Sequence, residues 1–302
     1  MRSSIGLGST LAPSELVRQA LVDQNELAGG EGCSSPACVA TFPPKSLGQA
    51  ARVRVFCLGA FHVTVDGVPV ENWRLGKARS LFQYLANHRN RPIGRDRLIE
   101  VLWPNPDAST PSISLKVTVH ALRRTLARVG DGALAQAVQA HAAGYRLAAT
   151  DLWLDVEEFE RCFALGRRLE EQARESEALG FYTAAADLYR GDFLEESWDD
   201  WVVFRREGLK DQHLFVLARL ADAALASADY HGCILRCQQL LAADRCREDT
   251  YRTLMVCHSR LGQRGRVRSW YDLCVRTLRA ELDAAPEPET QRLYLLALRG
   301  EA

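Results

Sequence analysis

Long apolar runs are absent from the sequence. None of its 302 residues belongs to a run that approaches the roughly 18 apolar residues required by a transmembrane helix. The opening residues, MRSSIGLGST, lack the apolar core of a signal peptide, so we expect a cytoplasmic protein that has no membrane partner. The nine cysteines are an odd number without the spacing of a disulfide framework, which favours a reducing compartment.

Catalytic and cofactor motifs are also missing. The sequence has no GxxxxGK phosphate loop, no HExxH zinc motif and no GxSxG nucleophile elbow. Cys33 and Cys38 have no partner pair of His or Cys at zinc-finger spacing. Cys233 and Cys237, one helical turn apart, are more typical of a helix core than of a zinc or redox site. We therefore predict a protein that is not an enzyme and that binds no cofactor or metal.

The net charge is zero, but the two halves of the chain differ. Residues 51–150 contain 14 Lys and Arg against 6 Asp and Glu, a balance of +8. Residues 151–302 contain 21 against 28, a balance of −7. A basic domain joined to an acidic one indicates that the first binds a polyanion and the second binds something else. The alternative is a chance asymmetry.

Asp and Glu are absent from residues 112–126, SISLKVTVHALRRTL. On a helix, Leu115, Val119, Leu122 and Leu126 form one narrow buried stripe. A helix with one buried edge and no carboxylate on its outer face suits the major groove of DNA. Taken alone, however, the stretch fits an ordinary amphipathic surface helix at least as well, so the assignment depends on the neighbouring elements.

The neighbouring elements complete a recognisable order. Alternating residues and a turn at Asp66 and Gly67 predict an antiparallel sheet within residues 52–70. Two helices are predicted at residues 77–87 and 95–103, and a glycine turn separates two short strands within residues 138–147. The order of sheet, three helices and hairpin predicts a winged helix whose third helix enters the major groove of double-stranded DNA.

The same residues resemble a known family. WRLGKARSLFQYLANHRNRPIGRDRLIEVLWP, SLKVTVHALRRTLA and GYRL are similar to the winged helix of the OmpR/PhoB response-regulator type. The variant LxxYLAxHRxRPxxRDxLxxxLWP is similar to the Streptomyces antibiotic regulatory protein (SARP) family. The resemblance covers nearly all of residues 53–147. No receiver domain is expected in front of it, because the first 50 residues lack the acidic cluster and strand pattern of a receiver.

The resemblance implies DNA-binding residues on the third helix and in the wing, and two cations at the start of the first helix are further candidates for phosphate contact. These are Ser114, Lys116, Val117, Thr118, His120, Ala121, Arg123, Arg124, Arg146, Lys77 and Arg79. The arginines of the third helix are expected to bind phosphate, whereas for Lys77 and Arg79 solvated surface charge is an equal alternative. Family members often have arginine at the position of Ala121, so more of the affinity is expected from phosphate contacts.

The second half of the chain is predicted to be helical throughout. Two helix pairs have small-residue turns at Ala226 to Ala228 and at Leu261 to Gln263, about 35 residues apart and close to the tetratricopeptide period. Such pairs must stack to bury their apolar faces. YRGDFLEE at residues 189–196, then Trp201 and the closing PEPET, resemble the bacterial transcriptional activator domain. Within it, the corner at residues 191–194 is expected to be structural, with a buried aromatic.

The sequence thus predicts a mainly α protein. Residues 1–50 form a disordered tail, residues 51–150 a winged helix-turn-helix domain with small antiparallel sheets, and residues 151–302 an all-α tetratricopeptide-like domain. The resemblance implies a transcriptional activator that binds promoter direct repeats, forms a homodimer on DNA and contacts RNA polymerase, with the loop at residues 104–111 as a candidate contact. The rival interpretation is a protein-interaction scaffold whose DNA binding is absent or non-specific. The charge split favours DNA.

Overall fold

The computed structural model describes residues 51–73, 76–104 and 111–301, except for the side chains of residues 111–113. The predicted tail and most of the loop at residues 104–111 lie outside these ranges. The described residues form two compact units: residues 51–161 with 188–208, and residues 162–187 with 209–301. A single domain boundary near residue 150 stays a prediction.

The first unit contains a four-stranded sheet in the order β3-β2-β1-β7. Its strands are β1 (Val53–Phe56), β2 (His62–Val65), β3 (Val68–Pro69) and β7 (Leu152–Leu154). β1 pairs antiparallel with β2 but parallel with β7, so this sheet is mixed and not purely antiparallel as predicted. The prediction of helix at residues 152–154 is also wrong, because three residues are too few to show an alternating pattern.

The predicted hairpin turn joins β2 to β3. Asp66 and Gly67 have φ angles of 49° and 82°, the left-handed values that a two-residue hairpin turn of this kind requires at both positions. Asp66 accepts this conformation because a short polar side chain tolerates the left-handed region.

Four helices and a second sheet complete the winged helix. The helices are α1 (Gly76–Asn87), α2 (Arg95–Leu102), α3 (Pro111–Leu126) and α4 (Ala133–Ala137). The sheet, in the order β4-β6-β5, comprises β4 (Ile93–Gly94), β5 (Val138–His141) and β6 (Gly144–Leu147). β5 and β6 are the predicted wing hairpin. Leu81, Phe82 and Leu85 of α1 are completely buried, as their spacing predicts.

The corner at residues 191–194 belongs to the same unit. Phe193 is fully buried, and it forms a β-bridge with Leu58 that follows β1. The buried guanidinium of Arg206 donates to the carbonyl oxygens of Phe193, Leu194 and Ser197 at 2.8, 2.6 and 2.8 Å. The predicted structural role of this corner is therefore confirmed.

Helices joined by short turns build the second unit. They are α5 (Asp155–Glu171), α6 (Glu175–Leu188), α7 (Asp200–Ala226), α8 (Tyr230–Ala243), α9 (Glu248–Arg260), α10 (Arg264–Leu282) and α11 (Pro288–Arg299), of which α5 and α7 begin in residues of the first unit. Both predicted turns lie where the sequence placed them, between α7 and α8 and between α9 and α10. None of the helices in the described ranges is long and apolar enough to cross a membrane.

Three of these turns end their helix in the same way. Ala173, Ala228 and Gly262 have φ angles of 58°, 58° and 72°. In each turn the following N–H donates to the carbonyl five residues back, at 2.9, 2.8 and 2.8 Å. This is the left-handed helix end that satisfies the last carbonyl groups. The α5–α6 pair therefore repeats the design of the two predicted pairs.

Cys233 and Cys237 lie in the core of the repeats. They are 0% and 1% exposed and pack in one cluster with Cys257, Tyr251 and Leu254. The prediction that this thiol pair is a helix core is confirmed. The pKa values of Cys237 and Cys257 are raised above that of an exposed thiol, first by the hydrogen bond with the Cys233 sulfur and then by burial.

Candidate nucleic-acid interface

Helix α3 owes its position to one apolar stripe. Leu115, Val119, Leu122 and Leu126 are between 0% and 2% exposed, as the four-three-four spacing predicts. Pro111 occupies the first helical position, where its missing N–H costs no intrahelical hydrogen bond. α1, α2 and α4 all pack against this helix. The opposite surface is left open to solvent.

That open surface carries four of the predicted residues. Lys116, Val117, His120 and Arg124 are exposed, and Val117 has 54% of its surface accessible. Ser114 and Ala121 are half-buried at its edge. The face thus combines two cations, one imidazole and an exposed apolar side chain, and it contains no carboxylate. Cations can reach phosphate oxygens, while the imidazole and the apolar group can contact base edges.

Thr118 does not lie on this surface. Its side chain is 3% exposed, and its hydroxyl donates to the carbonyl oxygen of Ser114 at 2.8 Å. The prediction that Thr118 faces the groove is therefore wrong. The hydroxyl is satisfied one turn back on its own helix, as is common for Ser and Thr inside helices.

Arg123 is tied to the wing rather than extended into solvent. Its Nε and Nη2 donate to the carbonyl oxygen of Val138, the first residue of β5, at 3.0 and 2.6 Å. The side chain is half-buried as a result. Both donors that face the wing are used, so Arg123 holds the wing beside the helix and is less available for phosphate than Arg124.

The wing arginine is held in a similar way. Arg146 lies opposite Gln139 in the β5–β6 register, and its Nε and Nη2 donate to the Gln139 Oε1 at 3.1 and 2.8 Å. This contact orients the guanidinium across the hairpin and leaves part of it accessible. An oriented, partly exposed arginine in a wing suits contact with DNA phosphate or a narrow minor groove.

Gly144 begins β6, the second strand of the wing. A Cβ at this position would lie 1.9 Å from the carbonyl oxygen of Ile93, so only glycine permits the pairing of β6 with β4. The glycine of the sequence GYRL is therefore required for close strand approach and not only for the turn.

Of the two residues at the start of α1, Arg79 differs from the prediction, whereas the role of Lys77 stays a prediction. Arg79 donates from Nη2 to Glu196 Oε2 at 2.7 Å, and its guanidinium lies 5.1 Å from the centre of the Phe61 ring. Its charge is therefore paired within the protein, which argues against both a phosphate contact and a freely solvated cation. Lys77 is half-buried beside it.

The electrostatic surroundings of the interface are positive. Residues 111–150 contain one acidic side chain, Asp131, against five Lys and Arg. Asp131 pairs with Arg52 at 3.1 Å, and its pKa is lowered by the Ala133 N–H and by Arg52. Arg52 also pairs with Asp66 at 2.9 Å, so one guanidinium is shared by two carboxylates. With five cations against one carboxylate, residues 111–150 carry a net positive charge that attracts a polyanion.

Sequence reasoning missed two residues of this surface. Arg128, just after α3, and His141, at the end of β5, are both exposed. His141 Nδ1 accepts the Ala143 N–H at 3.2 Å, which leaves Nε2 as the outward donor. The available signal was the near absence of acidic residues, which extends through both.

An open depression lies between α3 and the wing, and its lining comprises His120, Arg123, Arg124, Ala127, Ala135, Gln136, Val138, Gln139 and Ala140.

No group of three or more His, Cys, Asp or Glu side chains that could hold a metal ion occurs in the described ranges.

Two family models match the chain in succession. Residues 75–147 match the C-terminal domain of transcriptional regulatory proteins, and residues 154–296 match the bacterial transcriptional activator domain. The first match contains α3 and the wing. The chain is thus homologous to transcriptional regulatory proteins with a DNA-binding domain of the OmpR type, and such regulators are not enzymes. The two domains in this order give the chain a SARP-type architecture.

Curated relatives of the chain are also described as transcriptional regulatory proteins. The transcriptional regulatory protein MoaR1 of Mycobacterium tuberculosis is 27% identical over 259 residues, which cover 83% of this chain and 80% of MoaR1. The transcriptional regulatory protein EmbR of Mycobacterium bovis is 28% identical over 245 residues, or 80% of this chain. That match covers 62% of EmbR, so the chain spans less than two thirds of that relative.

A solved structure shows the same fold. Mycobacterium tuberculosis EmbR, in complex with a low-affinity phosphopeptide, matches with a TM-score of 0.64 and 24% identity. The match covers 83% of this chain and 66% of EmbR. The mainly α fold, a winged helix followed by tetratricopeptide-like helices, agrees with the prediction from sequence.

Proposed function

We propose that the protein is a sequence-specific transcriptional regulator that places α3 in the major groove of promoter DNA. The observation that carries the proposal is the open face of α3, where Lys116, Val117, His120 and Arg124 are exposed together without a carboxylate. The cations Lys116 and Arg124 can contact phosphates, while Val117 and His120 can contact base edges in the groove. The wing, held by Arg123 and oriented through Arg146, adds a second contact.

The finer assignments rest on the family. The resemblance to SARP-type regulators implies that the protein activates transcription, binds direct repeats, forms a homodimer on DNA and contacts RNA polymerase. We propose the loop at residues 104–111 for the polymerase contact. Substitutions there should abolish activation in a reconstituted transcription assay while operator binding stays intact. If the same substitutions abolish operator binding, the loop belongs to the DNA interface instead.

Selection of genomic DNA fragments by the purified full-length chain tests the proposal. Fragments are recovered at low and at high salt and sequenced. We expect a repeated motif that remains enriched at the higher salt, because specific base contacts outlast the phosphate contacts that salt weakens. Lys116→Ala with Arg124→Ala should lose the enrichment. Arg299→Ala, which removes an exposed charge from the helical repeats, is the control and should keep it.

Two results would replace the proposal. Salt-sensitive binding without any enriched motif would leave a non-specific DNA-binding protein. No binding at either salt would favour the protein-interaction scaffold, in which the helical repeats bind a partner.

A further inference from the structure

The turn between α9 and α10 carries a concentration of unpaired positive charge. Residues 250–271 contain five arginines and no Asp or Glu, although residues 151–302 have a balance of −7. Arg252 is paired, with its Nη1 3.0 Å from Glu287. The other four are exposed and make no ion pair within the described ranges, and we refer to them as the arginine cluster: Arg260, Arg264, Arg266 and Arg268.

The arginine cluster occupies a defined part of the fold. Arg260 ends α9 and Arg264 begins α10, with only three residues between them. Arg268 lies one turn further along α10, on the same face as Arg264. The first turn of α10 contains no acidic residue and has no side-chain cap. Its backbone N–H groups therefore add partial positive charge beside the arginines.

Several other arginines of the helical repeats are paired within the protein. Arg174 pairs with Glu177 at 2.7 Å, and Arg247 pairs with Asp249 at 2.7 Å. The members of the arginine cluster make no such pair within the described ranges, and what sets them apart from the exposed Arg276 and Arg279 is the absence of Asp and Glu from residues 250–271. The cluster also affects its surroundings: the pKa of His258 is lowered first by burial and then by the charges of Arg266 and His231. Like charges on neighbouring residues repel one another, and a bound anion would relieve that repulsion.

Phosphate is the anion that this chemistry favours. The guanidinium fork binds phosphate through two parallel hydrogen bonds, and lysine is absent from the cluster. DNA is the polyanion already present in the complex under the proposed function. A second contact with the same DNA molecule would be intramolecular, at an effective concentration of about millimolar, whereas an acidic protein would need separate recruitment.

We propose that the arginine cluster is a second, sequence-independent contact with the DNA backbone, made by the activator domain beside the operator. The inference rests on the proposed function. It assigns part of the affinity of the full-length protein to the helical repeats and none of its sequence preference.

A pair of double variants tests this inference in the full-length chain. Arg264→Gln with Arg268→Gln removes two charges from the cluster. Arg276→Gln with Arg279→Gln removes two exposed charges from the other end of α10 and serves as the matched control. Affinity for a duplex that contains the selected operator with flanking sequence is measured by fluorescence anisotropy between about 50 and 200 mM salt. Thermal unfolding followed by circular dichroism checks that both variants are folded.

The cluster variant should lower the slope of log affinity against log salt by about 1.8, because each lost phosphate contact removes about 0.9. Its affinity at the lowest salt should fall about tenfold or more, while the preference for operator over scrambled DNA stays unchanged. The control should keep the wild-type slope. The inference is overturned if the cluster variant keeps the wild-type slope or if the two variants lower the slope by the same amount. Binding to polyglutamate is measured in parallel as a probe for an acidic protein partner. If the cluster variant keeps the wild-type slope on DNA but no longer binds polyglutamate, the cluster is assigned to such a partner.

These results separate the two proposals. If the wild type binds its operator and the cluster variant binds it with the same affinity and the same salt slope, this inference fails and the proposed function stands. If the wild type binds no DNA at any salt, the proposed function fails, and this inference fails with it.

Discussion

Arg123 of α3 donates two hydrogen bonds to the carbonyl oxygen of Val138, from Nε at 3.0 Å and from Nη2 at 2.6 Å. Val138 begins the first strand of the wing, so this one contact joins the helix to the hairpin that accompanies it. Its neighbour Arg124 is exposed. Two adjacent arginines with the same sequence character therefore have different physical roles.

The two arginines should respond differently to truncation. Arg123→Ala should lower the free energy of unfolding by about 1–2 kcal/mol, because a charge-assisted hydrogen bond to a half-buried carbonyl is lost. Arg124→Ala should leave the free energy of unfolding unchanged and lower the salt dependence of DNA binding by about 0.9 in slope. Urea unfolding and salt-dependent anisotropy measure the two effects. Equal stability of the two variants would contradict the assigned role of Arg123.

The sequence predicted the buried side of α3 better than its open side. The stripe through Leu115 and Leu126 follows from the helical period, which fixes each residue's angle around the axis. The period does not say how many neighbours cover the helix. Because α1, α2 and α4 pack around α3, Thr118 is enclosed and Arg123 meets the wing. Only the open sector between these neighbours is left for DNA.

The missed elements are those with little local signal. β7 has three residues and acquires its pairing from β1, about 100 positions earlier in the chain, which no local pattern reveals. The turn at Ala173 is flanked by Gln172 and Arg174 and lacks the run of small residues that marks Ala226 to Ala228, so the third helix pair escaped detection. The turn at Gly262 was found because glycine marks the end of a helix in the sequence itself.

Asp155 links the end of β1 to the start of α5, and its ionisation should affect stability. Its carboxylate accepts the N–H groups of Cys57, Leu58 and Val156 at 2.8 to 2.9 Å, and it is 2% exposed. Burial raises its pKa from 3.8 to about 6, against the lowering effect of the three N–H donors. The folded state therefore holds the proton more tightly than the unfolded state does.

The stabilisation from this group should be complete below about pH 4 and should be lost as the pH rises through about 6. Asp155→Asn keeps one acceptor oxygen and does not titrate. The difference in free energy of unfolding between wild type and Asp155→Asn should decrease from pH 4 to pH 7 by up to about 3 kcal/mol. Urea unfolding across this range measures it. A difference that grows with pH would show that the N–H donors outweigh burial.

The helix ends at Ala228 and Gly262 offer a matched pair of substitutions. Both residues are left-handed, with φ angles of 58° and 72°, but only one is glycine. Gly262→Ala should lower the free energy of unfolding by about 1 kcal/mol, because a Cβ is strained in this conformation. An added Cβ at Gly262 meets no atom within 4 Å, so the effect is purely one of backbone conformation. Ala228→Gly should raise stability by a smaller amount, since glycine also gains freedom in the unfolded chain.

Thermal unfolding of the two variants and of the double variant measures both effects. Shifts of opposite sign that add in the double variant are expected, because the two turns are separate helix ends. Shifts of the same sign would contradict the left-handed assignment of one of the two residues.

Val117 should contribute base discrimination through an apolar contact. It is 54% exposed on the open face of α3, one helical turn from Ala121, and nothing in the described ranges covers it. An exposed apolar side chain in a major groove can contact the methyl group of thymine, the one apolar group on a base edge there. Replacement of each operator thymine by deoxyuridine removes that methyl and leaves base pairing intact. At one or two positions the wild type should lose about six- to tenfold in affinity, at the lower end of the roughly 1–3 kcal/mol range of single-site effects.

Val117→Ser should bind the thymine operator with the reduced affinity and should be insensitive to deoxyuridine at the same positions, because the methyl has lost its partner. The non-additivity of the protein and DNA changes isolates the contact. If the wild type is indifferent to every deoxyuridine replacement, Val117 does not read thymine, and the discrimination must come from His120 and the half-buried Ser114. Operator binding itself would be unaffected by that outcome, since the phosphate contacts of Lys116 and Arg124 do not depend on the methyl group.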